Sequence, residues 1–355
     1  MLKLYTFTTK AARKHFIAAV ALVFAMPMLV GCDSGTALSE TSATSDKSGL
    51  YGYSDYMIAE NINPEVYVDT LWKIDIKDPD AELPDNFRTS YTEPSVDNAK
   101  KGMDESYAPS ADGLGDTLMS GSSEFNEDQL TNLIAEIRKY HDGDICIIDL
   151  RQESHLFVNG ISLSRYGLRD WGNLGMDPDD VKKDEKAFIK SLGGQTIDAY
   201  TLDDDKQPQE QELIVVESAK TEQEIVESQR VEYYRLPCTD HVCLTDEEID
   251  AFIAFVRNLD DDTWLHFHCE AGKGRTTYVM AFYDMMLNPD LSLKDIAYRQ
   301  CEIGGNYILN ASGDDWKDPY YAEKAEQAEL FYQYVQENYA TDYVTPFSEW
   351  HTRSF

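Results

Sequence analysis

The sequence is poor in basic residues and contains no residue spacing that is typical of a metal site. Its 355 residues include 31 Lys and Arg against 65 Asp and Glu, which gives a net charge of −34. A protein this acidic repels the nucleic-acid backbone, so we expect no nucleic-acid partner. Paired CxxC and HExxH motifs are absent, so we expect no metal and no cofactor. A polyanionic substrate would therefore need a local cluster of Lys and Arg.

Long apolar runs are also lacking beyond the first 31 residues. A positively charged start precedes an apolar stretch at 16–28, of about the length found in secretory signals. The residues Leu29-Val30-Gly31-Cys32 resemble a bacterial lipobox, in which the signal is cut before the cysteine and the cysteine is lipidated. A transmembrane helix is the alternative, but the segment is short and contains a proline. We expect a signal peptide at 1–31, lipidated Cys32 with a flexible tether at 32–49, and an exported protein anchored by lipid in the cell envelope.

Cysteine is scarce as well. Loss of residues 1–31 would remove four cations and leave a charge of 27 − 65 = −38, and lipidation of Cys32 would leave five of the six cysteines. An odd number of cysteines outside the cytoplasm indicates a free thiol, for which Cys269 is the candidate. Cys238 and Cys243 are close enough in sequence for a disulfide bond, although sequence cannot show that they meet.

Cys269 and Arg275 lie six positions apart in a stretch that predicts a strand, a tight loop and a helix. The intervening residues can curl so that their backbone N–H groups surround an anion at the positive end of the helix; they are Glu270, Ala271, Gly272, Lys273 and Gly274. Such a field favours thiolate over thiol. Arg275 can hold two phosphate oxygens with its planar guanidinium. The Thr276 hydroxyl can donate to the sulfur, and His268 lies on the buried strand just before the cysteine. The pattern predicts a cysteine-dependent phosphatase.

A phosphatase of this kind also needs a general acid for the leaving oxygen. Asp240, followed by His241, lies about thirty residues before Cys269, between a predicted strand and a predicted helix. Its carboxyl group could protonate the leaving group and then activate water. From its position alone, Asp240 is equally well explained as a turn residue.

Hydrophobic periodicity predicts an α/β fold whose central sheet is mainly parallel. Residues 78–122 are rich in Pro, Asp, Gly and Ser and are predicted to form irregular loops. The loop at Cys269 then lies at the carboxyl end of a strand, where open α/β sheets bind ligands. Helices are predicted over 126–140, 177–192, 245–259, 277–287, 292–303 and 322–339 and from residue 221, and strands over 65–76, 144–150, 196–202, 212–217, 231–236 and 263–267.

Several separate motifs, in order, resemble those of the bacterial protein-tyrosine-phosphatase-like phytases, or cysteine phytases, over about residues 60–350. The motifs are Leu150-Arg151-Gln152-Glu153-Ser154-His155, Arg169-Asp170-Trp171-Gly172-Asn173, Thr239-Asp240-His241, His266-Phe267-His268-Cys269-Glu270-Ala271-Gly272 and Glu302-Ile303-Gly304-Gly305. The resemblance implies a phosphatase domain over 50–355, with a phosphatase core and a smaller β-barrel-like subdomain built from about 60–85 and 195–217. It also implies that Cys269 is the nucleophile, Arg275 the phosphate clamp and Asp240 the general acid. Further residues would contact the substrate: His241, Asp170, Lys206, Arg88 and Lys317.

The sequence departs from the family pattern at three places. Lys273 replaces a residue that is usually apolar in the signature loop and adds a charge beside the thiolate. The tract 306–314 is short and lacks lysine, so a phosphate contact is missing there. Cys243 and Leu244 stand where the family tends to have an aromatic residue and a proline, which leaves the closure of the acid loop open. A Cys238–Cys243 disulfide would stiffen this loop.

The expected activity is removal of phosphates from myo-inositol hexakisphosphate and lower inositol polyphosphates through a cysteinyl-phosphate. One alternative with the same chemistry is a phosphatase for phosphotyrosine or phosphoinositides. Another is a non-catalytic lipoprotein that binds inositol phosphates. The expected partners are a small polyanionic substrate and, through Cys32, a membrane; the sequence indicates no protein partner.

Overall fold

The computed structural model describes residues 71–203, 206–311 and 316–354. Within these ranges, no helix is both long and apolar enough to cross a membrane. The strands are β1 (Leu71–Ile74), β2 (Arg88–Thr89), β3 (Met119–Ser122), β4 (Asp144–Arg151), β5 (His155–Val158), β6 (Ile161–Tyr166), β7 (Thr196–Leu202), β8 (Pro208–Val215), β9 (Ala219–Lys220), β10 (Glu232–Cys238) and β11 (Thr263–His268). The α-helices are α1 (Glu127–Ile137), α2 (Pro178–Leu192), α3 (Glu222–Ser228), α4 (Asp246–Asn258), α5 (Gly274–Leu287), α6 (Leu293–Glu302), α7 (Asp318–Asn338) and α8 (Phe347–Ser354).

The first sheet has five strands in the order β10-β4-β11-β3-β2. β10, β4, β11 and β3 are parallel, and β2 runs antiparallel to β3. The central strand β11 is buried along its whole length between β4 and β3. This confirms the predicted α/β fold with a mainly parallel central sheet.

The strands β2 and β3 lie in a tract that the sequence predicts as irregular loops. β3 reads Met-Ser-Gly-Ser, so it lacks the branched and aromatic residues on which a strand prediction depends. Its hydroxyl groups are nevertheless buried because they have partners: Ser120 Oγ accepts from Trp264 Nε1 at 2.8 Å and lies 2.9 Å from His266 Nδ1. The prediction was wrong here because hydrogen bonding, not hydrophobicity, stabilises this strand.

Helices cover the sheet and form the main hydrophobic core. α5 is buried on nearly all sides, and its Phe282 stacks on Phe331 of α7 with ring centroids 3.9 Å apart. The predicted starts of α3 and α4 are confirmed, and each is a capping box in which Thr221 or Thr245 accepts from the backbone N–H three residues on. Because α5 is buried on nearly all sides, the fold holds this helix, which follows the loop at Cys269, rigidly at its centre.

The second sheet has six strands in the order β8-β7-β1-β6-β5-β9. Its pairs are antiparallel except for β1 and β7, which are parallel. The predicted pieces near 71–85 and 195–217 supply β1, β7 and β8, whereas β5, β6 and β9 come from segments that the sequence did not assign to this sheet. Residues 60–70 lie outside the described residues, and closure of the sheet into a barrel stays a prediction.

Candidate active site

A tight loop joins β11 to α5 and carries the predicted nucleophile. β11 ends at His268 and α5 begins at Gly274. Gly272, within the loop, has a φ of +70°, and a Cβ atom there would lie 2.3 Å from the backbone of Ser122 and Ser123. Only glycine fits, because the loop passes directly over the end of β3. The strand, loop and helix predicted from the sequence are all present.

Cys269 is almost fully buried at the start of this loop, with 2% of its surface exposed. The Thr276 hydroxyl, in the first turn of α5, donates to Cys269 Sγ at 3.2 Å. A hydroxyl in this position stabilises a thiolate and a departing sulfur. The predicted contact between Thr276 and the sulfur is therefore present in the structure.

Arg275 is held in place by a buried carboxylate. Its Nη1 donates to Glu153 Oε2 at 2.7 Å and its Nη2 to Glu153 Oε1 at 3.0 Å. Burial alone would raise the pKa of Glu153, but the charges of Arg275 and Arg151 hold it well below its usual range. Glu153 is thus ionised and fixes the guanidinium plane beside the cysteine loop. The sequence placed Glu153 in a family motif but did not assign it this function.

Asp240 reaches the same arginine from the loop after β10. Its Oδ1 lies 3.1 Å from Arg275 Nε, and its Oδ2 lies 3.0 Å from His241 Nε2. Although burial opposes ionisation, the charges of Arg275 and His241 hold the pKa of Asp240 well below its usual range. The structure therefore places the predicted acid next to the predicted phosphate clamp.

The acid loop is anchored by neighbours that the sequence did not reveal. Trp171 Nε1 donates to the Asp240 carbonyl at 2.9 Å, and Trp171 packs with Val242 and Tyr320. Gln327 of α7 bonds both the N–H and the carbonyl of Leu244, at 3.1 and 2.7 Å. These contacts hold the loop that carries Asp240, and the effect of Cys243 and Leu244 on closure of that loop stays a prediction.

The possible disulfide in this loop is not present. Cys238 and Cys243 are both free thiols. Cys238 Sγ instead donates to the Leu236 carbonyl at 3.2 Å. The bridge hypothesis was wrong, and the loop is held by hydrogen bonds and packing instead of a covalent link.

Asp170 belongs to a charge cluster that joins the second sheet to the cysteine loop. Lys73 Nζ, from β1, lies 3.2 Å from Asp170, 3.4 Å from Asp75 and 3.4 Å from Glu270, which follows the nucleophile. Burial, opposed by Lys73, raises the pKa of Asp170 to about 7. Lys73 was missed by sequence reasoning, because alternation along the strand places it with Asp75 on the polar side, opposite Trp72 and Ile74, which pack against the core of the second sheet.

Lys206 and Lys273 both line a cavity of about 200 Å³ beside the loop, together with Lys77. Acidic side chains line the same cavity: Asp75, Asp78, Asp85, Glu124 and Glu270. Lys273 Nζ donates to the Gly304 carbonyl at 2.8 Å. The structure thus brings these two predicted lysines to one cavity, on the second-sheet side of the cysteine loop. Their contact with substrate stays a prediction.

A second group of predicted residues surrounds His241. The ring of Trp316 lies edge-on to His241, with centroids 5.0 Å apart, and Lys317 Nζ lies 5.5 Å from the same indole. Lys324 of α7, which the sequence did not single out, is nearly buried, and burial lowers its pKa while Asp240 opposes this. A lysine kept inside the fold this close to the acid adds to the local positive charge.

Arg88 lies beneath the loop. It is 2% exposed, and its guanidinium donates to the Gly272 carbonyl at 2.8 Å and to Thr277 Oγ1 at 3.1 Å. These contacts support the backbone of the loop, so the structure gives Arg88 a supporting contact where the resemblance implied contact with substrate. The tract 306–314, in which a phosphate contact was expected to be missing, lies partly outside the described residues.

Two buried groups of carboxylates and histidines have the ligand types of a metal site. They are Glu124, Glu222 and His268, and Asp149, His155 and Glu222. In both groups the imidazole Nε2 lies 2.8 Å from a Glu222 oxygen, the distance of a short hydrogen bond. We therefore interpret the two groups as one network of ion pairs beneath the cysteine loop.

Comparison with known proteins gives consistent results. A family model for PTP-like phytases, described as inositol hexakisphosphate, matches residues 148–287. The effector protein HopD2 of Pseudomonas syringae pv. tomato is 28% identical over 236 residues, which are 64% of this chain and 50% of that protein. The PTP-like myo-inositol phosphatase of Mitsuokella multacida, solved in complex with myo-inositol-(1,3,4,5)-tetrakisphosphate, is 41% identical, with a TM-score of 0.77, and covers 84% of this chain.

The alignment covers 52% of the Mitsuokella chain, so this chain spans about half the length of both relatives. The PTP-like phytase of Bdellovibrio bacteriovorus is closer in size. Its structure is 29% identical, with a TM-score of 0.65, and the match covers 82% of this chain and 98% of that one. The chain is therefore similar to the PTP-like phytases, in sequence over residues 148–287 and in fold.

Proposed function

We propose that the protein hydrolyses phosphate monoesters of myo-inositol polyphosphates through a cysteinyl-phosphate. The observation that carries this proposal is the meeting of three groups at one loop. Thr276 donates to Cys269 Sγ, and Asp240 lies 3.1 Å from Arg275 Nε. A nucleophile, an anion clamp and an acid are thus within reach of one phosphoryl group.

The reaction proceeds in two steps. The Cys269 thiolate attacks phosphorus, the ester P–O bond breaks, and Asp240 gives its proton to the departing inositol oxygen. Water then attacks phosphorus and transfers a proton to Asp240, the P–S bond breaks, and inorganic phosphate and the thiolate are released. The loop amides and Arg275 stabilise the charge on the equatorial oxygens throughout.

The substrate class is supported by the cations near the loop and by the Mitsuokella relative, whose structure holds an inositol tetrakisphosphate. Phosphates other than the one being cleaved need positive partners besides the loop amides and Arg275. Lys206 and Lys273 line the cavity on one side, and Lys317 lies near His241 on the acid side. A phosphotyrosine enzyme needs no such spread of lysines.

We expect the purified protein, with chelator present, to release phosphate from inositol hexakisphosphate with kcat/KM at least about tenfold higher than from a phosphotyrosine peptide or phosphoinositide vesicles. Lys206→Met should raise KM for inositol hexakisphosphate by about tenfold, the cost of one lost phosphate–lysine contact. The same substitution should leave hydrolysis of p-nitrophenyl phosphate, which has one phosphate, unchanged. Lys183→Met, on the exposed side of α2, is the matched control.

A higher kcat/KM for the peptide or the vesicles would indicate that phosphotyrosine or a phosphoinositide, and not inositol hexakisphosphate, is the substrate. Binding of inositol hexakisphosphate without any turnover, with the thiol reduced, would favour the non-catalytic binding protein. Loss of activity on addition of chelator would contradict a mechanism that depends on Cys269 and Arg275 alone.

We also propose that the protein is exported and anchored in the cell envelope by a lipid on Cys32, on the strength of the lipobox-like residues at 29–32. These residues lie outside the described ranges. We expect the wild-type protein to sediment with membranes and to partition into detergent, and Cys32→Ala to keep the uncleaved signal and lose the lipid. Metabolic labelling with a fatty acid distinguishes the wild-type protein, which should carry the label, from Cys32→Ala, which should not. Label on the Cys32→Ala protein would contradict the proposal; Cys301→Ser, which leaves the lipobox intact, is the control.

A further inference from the structure

Beneath the cysteine loop, one carboxylate bridges two histidines. Glu222, at the start of α3, has its Oε1 2.8 Å from His268 Nε2 and its Oε2 2.8 Å from His155 Nε2. All three side chains are buried, with 0–2% of their surface exposed. His268 immediately precedes the nucleophile, so Glu222 fixes the ring next to the residue that attacks phosphorus.

The hydrogen bonds of Glu222 continue through His155 to Glu153, the carboxylate that holds Arg275. His155 Nδ1 lies 2.9 Å from the carbonyl of Glu153, whose side chain holds Arg275. A chain of hydrogen bonds thus runs from His268 through Glu222 and His155 to Glu153. Glu222 is the shared acceptor in this chain, and a neutral amide in its place would present an NH₂ donor to one of the two imidazoles, because each ring faces a different oxygen of Glu222.

The surroundings of His268 favour its charged form. Around its ring, in addition to Glu222, lie Glu124 with Oε2 3.8 Å from Nδ1, Asp149 of β4, and the ring of His266 at 6.3 Å. Arg151 pairs with Glu124. Burial opposes the charge, but Glu222 and Glu124 outweigh it and raise the pKa of His268 to about 9. Burial and Glu222 raise the pKa of Glu124 to about 7, whereas the pKa of Asp149 is lowered despite burial, because His155 and Arg235 face it; Glu222 is the carboxylate that bonds the His268 ring directly.

We propose that Glu222 is a positioning residue for the nucleophile: it holds His268 as an oriented cation behind Cys269 and thereby stabilises the thiolate. The effect acts through space and through the short backbone link between residues 268 and 269. It rests on Cys269 being the nucleophile of the proposed function. Its test below does not use turnover.

The test is the pH dependence of Cys269 alkylation by iodoacetamide, followed on the Cys269 peptide by mass spectrometry. Glu222→Gln should raise the midpoint of the alkylation profile by about one pH unit, because His268 loses its anionic partner. Below that midpoint, alkylation should be about tenfold slower than in the wild type. Glu227→Gln, on the exposed side of the same helix, should leave the profile unchanged.

A merely structural function for Glu222 would give a lower melting temperature with an unchanged midpoint, and that result would overturn the proposal. If the glutamine variant does not fold, Glu222→Asp decides. It keeps the charge but withdraws it by one methylene, so a smaller shift in the same direction is expected and no shift contradicts the proposal. If the midpoint shifts but no inositol phosphate is hydrolysed by the wild type, the proposed substrate is wrong and the function of Glu222 stands.

Discussion

Replacing Cys269 by serine should abolish phosphate release from inositol hexakisphosphate, with kcat lowered by at least about 10⁴-fold. A serine hydroxyl is a much weaker acid than a thiol, so it stays protonated in a loop that is built to stabilise an anion, which cysteine forms readily and serine does not. The amides of the loop and Arg275 remain, so substrate should still bind. Phosphate release and calorimetric titration with inositol hexakisphosphate, on the same preparation, measure both effects.

Cys301→Ser is the matched control. Cys301 Sγ is buried on α6 and donates to the Asn98 carbonyl at 3.5 Å, a contact that a hydroxyl can replace. This variant should keep wild-type activity. Turnover that persists in Cys269→Ser and requires added metal would contradict the cysteinyl-phosphate mechanism, as would failure to trap phosphate on the wild-type cysteine by acid quench.

The local part of the site was predictable because it depends on contiguous residues. The spacing of Cys269 and Arg275 on a strand, a loop and a helix determines the shape of the loop. Thr276 follows Arg275 directly, in the first turn of the helix, and this position brings its hydroxyl to the sulfur. Asp240 was a candidate acid from its position alone, where a turn residue explained it equally well, and the resemblance then favoured the acid. In each case the sequence signal for the function of the residue lies in its near neighbours along the chain.

The supporting residues could not be predicted in the same way. Lys73, Glu153 and Glu222 come from three different elements and acquire their functions only when the two sheets and α3 meet at the loop. Buried ionic groups have no periodic signature, because each is compensated by a few specific partners, several of them distant in sequence, and not by a repeating face. For Arg88 the resemblance implied a substrate contact and gave no sign that the fold places the guanidinium under the loop backbone; the substrate contact stays a prediction.

Asp240→Asn should lower kcat for inositol hexakisphosphate by about 10²–10⁴-fold, because an inositol alkoxide leaves poorly without a proton. The effect on p-nitrophenyl phosphate should be much smaller, since p-nitrophenolate leaves without one. The substitution also removes the negative charge 3.1 Å from Arg275 Nε. Inorganic phosphate should therefore bind more tightly to the variant than to the wild type, which inhibition assays with phosphate measure.

The pH profile provides the second readout for Asp240. In the free enzyme the pKa of Asp240 is held low by Arg275 and His241, so the acid is ionised at neutral pH. A phosphate dianion that pairs with Arg275 adds negative charge beside Asp240 and raises the pKa of the Asp240 carboxyl group. The substrate therefore binds with uptake of a proton. Activity should then fall as pH rises, and Asp240→Asn should lose this alkaline limb. Retention of the limb with an unchanged kcat would mean that another group protonates the leaving oxygen, and Lys324, close to the same carboxylate, would be the next residue to substitute.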